Sequence, residues 1–495
     1  MNQFHGGHLS ATGFQPTKVR FRTNGASYVP VRYQRSRSVY KRPPVTKNRN
    51  LVKMRVIVAT GLNSGAAEYK NMGDVAMLQV AVDRLLSLWP AACIEVLTES
   101  PFNLARYCPG ARPLPRAGCS CWVGDRVLLG RYHQFLPKWV SVRLSALKRA
   151  VGLHWPTLLE LLIRLRLSFR DGNGRRRDFK VFLEALKSCD LVVVCGSGGF
   201  ADSCQEWNLS ILGTMEAAIR RGIPVAMFGQ GIGPLNDPVV LSRARDVLPG
   251  VTLITLRGTR GGLPLLESMG VTPARVLTTG DEAIELAYAS RVEEPGRAVG
   301  INLRIASYAD VEADTIENVG SVLREFARWH KAPLVPIPIA FHEWAQDHET
   351  IRRLLAGFDD GSDGGLLLDT PLMLIKQTAR CKIVVTGAYH AAVFALAQGI
   401  PVVCLSNSPY YLAKFQGLED LFGLGCAIVM LGEPDLPGRL ATAIESTWNS
   451  ADVVRLPLLR SAHRQVERSR EAYRQIQSLI RSETNQTHLA LSEGA

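Results

Sequence analysis

The chain has 495 residues, 46% hydrophobic and 21% charged. That is room for two to four domains at roughly 100–200 residues each, and it excludes a chain disordered throughout. The formal net charge of +14 makes anions the expected partners, without choosing among nucleic acid, acidic lipid, phosphorylated metabolites and acidic glycans.

Residues 1–50 are basic, rich in Pro, Gly and Ser, and lack hydrophobic periodicity. They read as a disordered basic tail, with an electrostatic arm for acidic lipid or polymer as the alternative. No Asp or Glu precedes Glu68, whereas Lys18, Arg20, Arg22, Arg32, Arg35 and Arg37 all fall in this stretch. No apolar segment precedes the first strand, so no secretory signal is expected.

The fold is expected to begin with a β-branched strand at 54–60 that opens onto Gly61. The NMGD sequence at 71–74 and a helical apolar repeat over 75–88 complete a βα unit, and the next strand lies at 94–97. Residues 100–180 read as a helical insertion. It has amphipathic helices at 139–147 and 158–167, then a Gly- and Arg-rich loop at 170–177. Regularity returns with LVVVC at 191–195, a run that suits a parallel strand buried on both faces. A helix near 209–221, strands at 224–228 and 252–256, and a helix at 263–269 follow. After a boundary near 291–297 the alternation restarts. Strands are expected at 299–303, 333–338, 383–386 and 401–405. Helices are expected at 316–330, 348–355, 371–380 and 390–398, with a long last helix at 455–481.

This alternation predicts an α/β fold of two Rossmann-like parallel-sheet lobes facing a cleft, GT-B-like in architecture. The N-terminal lobe is assigned to 51–292, the C-terminal lobe to 293–450, a C-terminal helix to 451–482 and a flexible tail to 483–495. No uninterrupted apolar run reaches the ~18–20 residues of a membrane span; the longest candidate, 391–405, is broken by Gln398, Gly399 and Pro401.

Glycines follow four predicted strands: Gly61 and Gly65, 196–199, 229–233, and Gly387. Loops of this kind either cradle a phosphate or carboxylate at the carboxyl ends of the strands, or simply make tight βα turns. None is a nucleotide P-loop, and none is a clean G-x-G-x-x-G after the first strand, so a nicotinamide cofactor is disfavoured. None of the 10 cysteines forms a C-x-x-C pair. No metal site is expected, and buried thiols in a reducing compartment are the natural reading.

Several motifs occur in one order. They are NMGDVA at 71–76, CGSGGFAD at 195–202, FGQGIGP at 228–234, Leu256-Arg257 with the helix at 263–271, TGDEA at 279–283, GINLR at 300–304, TGAYH at 386–390 and PYYLAK at 409–414. In that order they resemble the polysaccharide pyruvyl transferase family over about residues 54–425. The resemblance implies transfer of a pyruvyl group from phosphoenolpyruvate to two hydroxyls of a sugar, as a cyclic ketal. The acceptor is an exopolysaccharide or its lipid-linked precursor. No cofactor is expected beyond that donor substrate.

Mapped onto this chain, the resemblance makes His390 the acid that protonates the donor's methylene carbon, with Asp74 as a second catalytic candidate. Arg257, Arg304 and Lys414 become the anion ligands, with Arg260 a further cation. Gly198, Gly199, Gly231 and Asp281 join the substrate site. A guanidinium suits a phosphate and a carboxylate because it is always charged and binds bidentately. Asp74 and Asp281 serve equally well as helix caps. Many family members carry arginine two residues before the loop histidine, where this chain has Ala388, so an anion ligand is missing there or replaced by another cation. A GT-B glycosyltransferase using a nucleotide sugar and an inactive binding homologue are the alternatives. No nucleic-acid partner is expected. The expected location is cytoplasmic, with peripheral contact at the inner face of the membrane through the basic segments.

Overall fold

The computed structural model describes residues 54–61, 68–124, 137–170, 173–258, 260–294, 296–304, 313–343 and 345–493. The predicted basic tail, Gly65, and 171–172 of the predicted Gly- and Arg-rich loop lie outside them.

The first sheet comprises β1 (Arg55–Ala59), β2 (Cys93–Thr98), β3 (Arg112–Pro115), β4 (Leu191–Val194), β5 (Ser197–Phe200), β6 (Val225–Ile232), β7 (Leu253–Leu256) and β8 (Val276–Thr278). Its order is β3-β2-β1-β4-β6-β7-β8, with β5 paired to the end of β6, and every pairing is parallel. The second sheet takes β9 (Ala298–Asn302) and β10 (Leu334–Pro336). A small antiparallel pair, β11 (Phe341–His342) and β12 (Ala345–Gln346), intervenes. Then β13 (Cys381–Thr386), β14 (Val402–Ser406) and β15 (Cys426–Met430) give the order β10-β9-β13-β14-β15, again parallel. Both are doubly wound orders. Strand order reverses between β1 and β4 in one lobe and between β9 and β13 in the other, and ligands bind beyond the carboxyl ends of strands at such reversals.

The lobes are joined by backbone and by core. Met72 N donates to Ile339 O at 2.9 Å and Phe341 N to Lys70 O at 2.8 Å, flanking a bridge between Asn71 and Ala340. The start of the Met72–Leu88 helix is therefore pinned against the second lobe. One continuous core contains that helix, the inner face of the first sheet and the Tyr389–Ala397 helix. The latter is apolar nearly all round and buried at all nine positions, as a fully enclosed helix must be. The Leu436–Glu493 helix runs from the second lobe back onto the first. There Tyr473 stacks on Phe228 at 3.8 Å between ring centroids, and Gln477 Nε2 donates to Leu88 O at 2.9 Å.

Among the places where the structure departs from the sequence reading, four shape the fold. The last helix starts at Leu436, well before residue 455. Leu436, Leu440, Ile444 and Ala451 already form a buried stripe there, and packing carries the helix through Pro457. β3 lies inside the predicted helical insertion; its two prolines mask it, and they are tolerated because it is an edge strand. The predicted Gly- and Arg-rich loop is helical from Asn173 to Lys187. Phe179, Phe182, Leu183 and Leu186 recur at helical spacing and are buried, which outweighs the glycine at 174. Finally, β6 continues through the predicted glycine loop to Ile232, with a register shift between Met227 and Gln230. The buried Gln230 amide bridges that irregularity by donating to Val194 O, Cys195 O and Phe228 O.

Candidate active site

The cleft is built from strand ends and helix starts. The Asn71 side chain accepts from Gly73 N at 3.0 Å and Asp74 N at 3.4 Å, so Asn71 is the cap of its helix and Asp74 lies in the first turn. Burial pushes the Asp74 carboxyl above its usual range, with His390, Arg257 and Lys414 opposing the rise and Asp281 adding to it. Gly73 has a spatial reason to be glycine. A Cβ there would stand 1.9 Å from His390 Cγ, so the helix start and the imidazole are in direct apposition only because that atom is absent.

His390 sits in the first turn of the Tyr389–Ala397 helix, 6% exposed. Its Nε2 is 3.6 Å from Asp281 Oδ2 and has no hydrogen-bond partner among the described residues. The same Asp281 oxygen accepts from Arg257 Nη1 at 3.3 Å, while Oδ1 accepts from Ala283 N at 2.9 Å. Asp281 thus holds a helix start and meets both His390 and Arg257, and of these three only Arg257 lines the pocket shared with Lys414. Burial alone would raise its pKa, but His390, Arg257 and the Ala283 amide together hold it below the usual carboxylate range.

Arg257 lies just past β7, 5% exposed, with Cζ 4.4 Å from the Tyr389 ring centroid. A Cβ at Gly198 would meet its Nη2 at 2.2 Å, and one at Gly231 its Nε at 2.7 Å. These two glycines therefore make room for the guanidinium, which is how they serve the site. Gly199 N donates to Ser197 Oγ at 2.8 Å, and a Cβ there would press on the Trp207 ring at 3.2 Å.

Lys414 belongs to the Pro409–Phe422 helix and stands among aromatic rings. Its Nζ is 3.8 Å from the Tyr410 centroid, 5.4 Å from that of Tyr411 and 5.8 Å from that of Tyr389, and it donates to the Tyr410 hydroxyl. Burial, reinforced by Arg257, drives its pKa well below the usual lysine value, with Asp74 opposing. The Tyr410 hydroxyl also donates to Gly198 O at 3.0 Å, which ties the second lobe's helix to the first lobe's strand end. Gly198, Gly231, Arg257, Tyr389, Tyr410 and Lys414 line one pocket, with Arg260 at its rim. Arg260 is bidentate to Asp420 at 2.6 and 2.7 Å.

Arg304 lies just past β9. Its Nε and Nη2 each donate to Asp347 at 2.9 Å, and Nη1 faces the Tyr411 hydroxyl at 3.4 Å. The fork that would clamp an anion is thus closed on a carboxylate that the sequence reading did not supply, and Arg304 contributes to the cleft through its charge. Ala388 is buried, and its amide donates to Thr386 Oγ1 at 2.9 Å. Cations reach this neighbourhood from 257 and 414 instead. Tyr389, Tyr410 and Asp347 are the site residues that sequence reasoning missed. The available signals were the tyrosine next to the loop histidine and the i, i+4 spacing of Tyr410 and Lys414. Among the described residues no group of His, Cys, Asp and Glu is arranged to hold a metal ion, and no helix is long and apolar enough to cross a membrane.

Two doubly wound lobes, a cation-lined cleft between them and a terminal helix crossing back define a GT-B-like enzyme. The chain belongs to the polysaccharide pyruvyl transferase family, whose model matches residues 71–409; it is a transferase. No curated protein matches the sequence. Among solved structures, one from Listeria monocytogenes provisionally described as a UDP-N-acetylglucosamine 2-epimerase is 12% identical, with 88% of this chain and 98% of that chain covered and a TM-score of 0.51. The UDP-GlcNAc 2-epimerase from Neisseria meningitidis is 11% identical over 87% of this chain and 100% of that one, with a TM-score of 0.49. The calicheamicin glycosyltransferase CalG4 is 13% identical over 86% and 98%, with a TM-score of 0.39. At these identities a likeness shows fold alone, and of the three only the first has a TM-score above 0.5.

Proposed function

We propose that the enzyme transfers the pyruvyl group of phosphoenolpyruvate to two hydroxyls of a sugar, in an exopolysaccharide or its lipid-linked precursor, forming a ketal and releasing phosphate. The observation that carries this reading is the convergence of His390 and Arg257 on a single oxygen of Asp281, with Lys414 lining the same pocket as Arg257. A donor with a phosphate and a carboxylate needs cations, and the pocket offers a guanidinium and an ammonium whose charges are only partly matched. The ammonium is held at a depressed pKa by burial and by Arg257, so an incoming anion relieves a repulsion already present.

In the proposed reaction His390, as imidazolium, gives its proton to the methylene carbon. The enol carbon becomes an oxygen-stabilised cation, held close to the fixed charges of the cleft. One acceptor hydroxyl attacks that carbon and its proton restores His390. Phosphate then leaves and the second hydroxyl closes the ketal, its proton departing with phosphate. The Asp281 carboxylate, 3.6 Å from Nε2, attracts the imidazolium by charge and not through a hydrogen bond. Asp74, whose raised pKa suits a proton carrier, takes the second hydroxyl's proton and passes it to the departing phosphate.

The test is thermal denaturation with ligands, because a compound that binds only the folded state raises Tm. Phosphoenolpyruvate is expected to raise Tm and, with an acceptor glycan, to yield phosphate. A shift with a nucleotide sugar and none with phosphoenolpyruvate would place the chain with the glycosyltransferases instead.

A further inference from the structure

The Pro156–Arg170 helix has two apolar faces. Leu159, Ile163 and Leu167 are turned inward and buried. Leu158, Leu161, Leu162 and Leu165 fall about opposite them at 3.6 residues per turn, and they are 43%, 52%, 40% and 48% exposed. Trp155, just ahead of this helix, is 62% exposed, and Leu147 on the Lys138–His154 helix is 60% exposed. A contiguous apolar ridge of this kind on a protein surface marks an interaction site.

Its surroundings identify the partner. Residues 138–187 carry twelve Lys or Arg against four Asp or Glu; of the cations, Lys148 is buried and Arg149 pairs with Glu216 and Asp246. Arg164 stands on the ridge's own helix, and Arg175, Arg176, Arg177 and Lys180 lie exposed on the next one. Leucine and tryptophan on a solvent-facing helix, bordered by arginine, is the composition of a segment that lies in the plane of an anionic membrane. There the apolar side chains enter the acyl boundary and the cations meet the headgroups. A second protein copy would offer the leucines a mate but would bring the same excess of positive charge against itself.

We propose that this ridge docks the enzyme on an anionic lipid surface as a peripheral membrane contact. The inference goes beyond the ketal-forming reading and stands without it.

The test is flotation of the full chain with vesicles of phosphatidylcholine alone or mixed with phosphatidylglycerol, for the native sequence and a Leu161→Ser, Leu165→Ser variant. Both positions are exposed, so Tm is expected to hold. The native chain is expected to float with the mixed vesicles, less so as salt rises, and hardly with phosphatidylcholine alone. The variant is expected to lose roughly tenfold or more of the bound fraction. Equal binding by the variant would assign any lipid affinity to the basic N-terminal residues, which both chains share, and would overturn the proposal. So would failure of the native chain to float, or a native dimer that ignores vesicles and dissociates in the variant.

Discussion

Asp281 and Glu282 are adjacent in one turn, yet they serve two clusters of different character. Glu282 faces the terminal helix, where its Oε1 accepts from Tyr473 at 2.5 Å and from Arg84 at 3.3 Å. Arg84 also reaches Glu285 and Ser469, and Arg470 completes the set through Glu285. Two guanidiniums and two carboxylates meet there in balanced charge, although Glu282 Oε2 has no hydrogen-bond partner among the described residues, and that cluster holds the long helix to the first lobe. Asp281 meets His390, whose Nε2 has no hydrogen-bond partner among the described residues, and Arg257, whose Nη1 stands 3.3 Å away, while Lys414 rests on tyrosines. The carboxyl pKa values move in opposite senses: Asp281 is held low, while burial pushes Glu282 up to about 7 against Arg84 and Tyr473. A charge-balanced cluster serves the fold, and one with cations in excess suits an anionic ligand.

The comparison can be broken first at His390. Loss of a general acid costs about 10²–10⁴-fold in rate, so His390→Asn is expected to lower kcat by that much while circular dichroism and Tm stay native. An active variant would remove the acid from the cleft.

The charge-balanced cluster predicts a pH signature. A carboxyl whose folded pKa lies above its unfolded value stabilises the fold below the unfolded value, near 4.5, and loses that contribution as pH rises through about 7. Native stability is therefore expected to fall relative to that of Glu282→Gln between pH 5 and 8, by at most about 3 kcal/mol, as read by denaturant titration. A flat difference would mean that Arg84 keeps the carboxylate charged.

Lys414 supplies the smallest effect. Because its folded pKa is depressed, the unfolded chain binds the proton more readily, and this group's contribution to stability rises with pH. Lys414→Met is expected to raise the unliganded Tm slightly, while shrinking the shift produced by phosphoenolpyruvate. A destabilised variant would make the lysine a structural residue.

The alternation of apolar strands with helical repeats was enough to read two parallel-sheet lobes, because LVVV at 191–194 and its counterparts are buried on both faces and carry no competing pattern. β3 and the early turns of the last helix escaped because local residue preference opposed them and tertiary packing prevailed. The site was legible as ordered motifs but not as contacts. Sequence shows Gly73 only as part of the NMGDVA motif; the structure alone reveals the imidazole against it. It marks Arg304 as a cation at a strand end, and nothing near it in the chain announces Asp347, whose carboxylate arrives from 43 residues away. Long-range pairing of this kind leaves no local trace.

The most direct measurement is a calorimetric titration of phosphoenolpyruvate into the native enzyme and into Arg257→Gln. The account predicts saturable binding by the native chain and its loss in the variant, with Asp281 left unbalanced and stability lowered by about 3–5 kcal/mol. Undiminished binding by the variant, or no binding by the native enzyme, would contradict it.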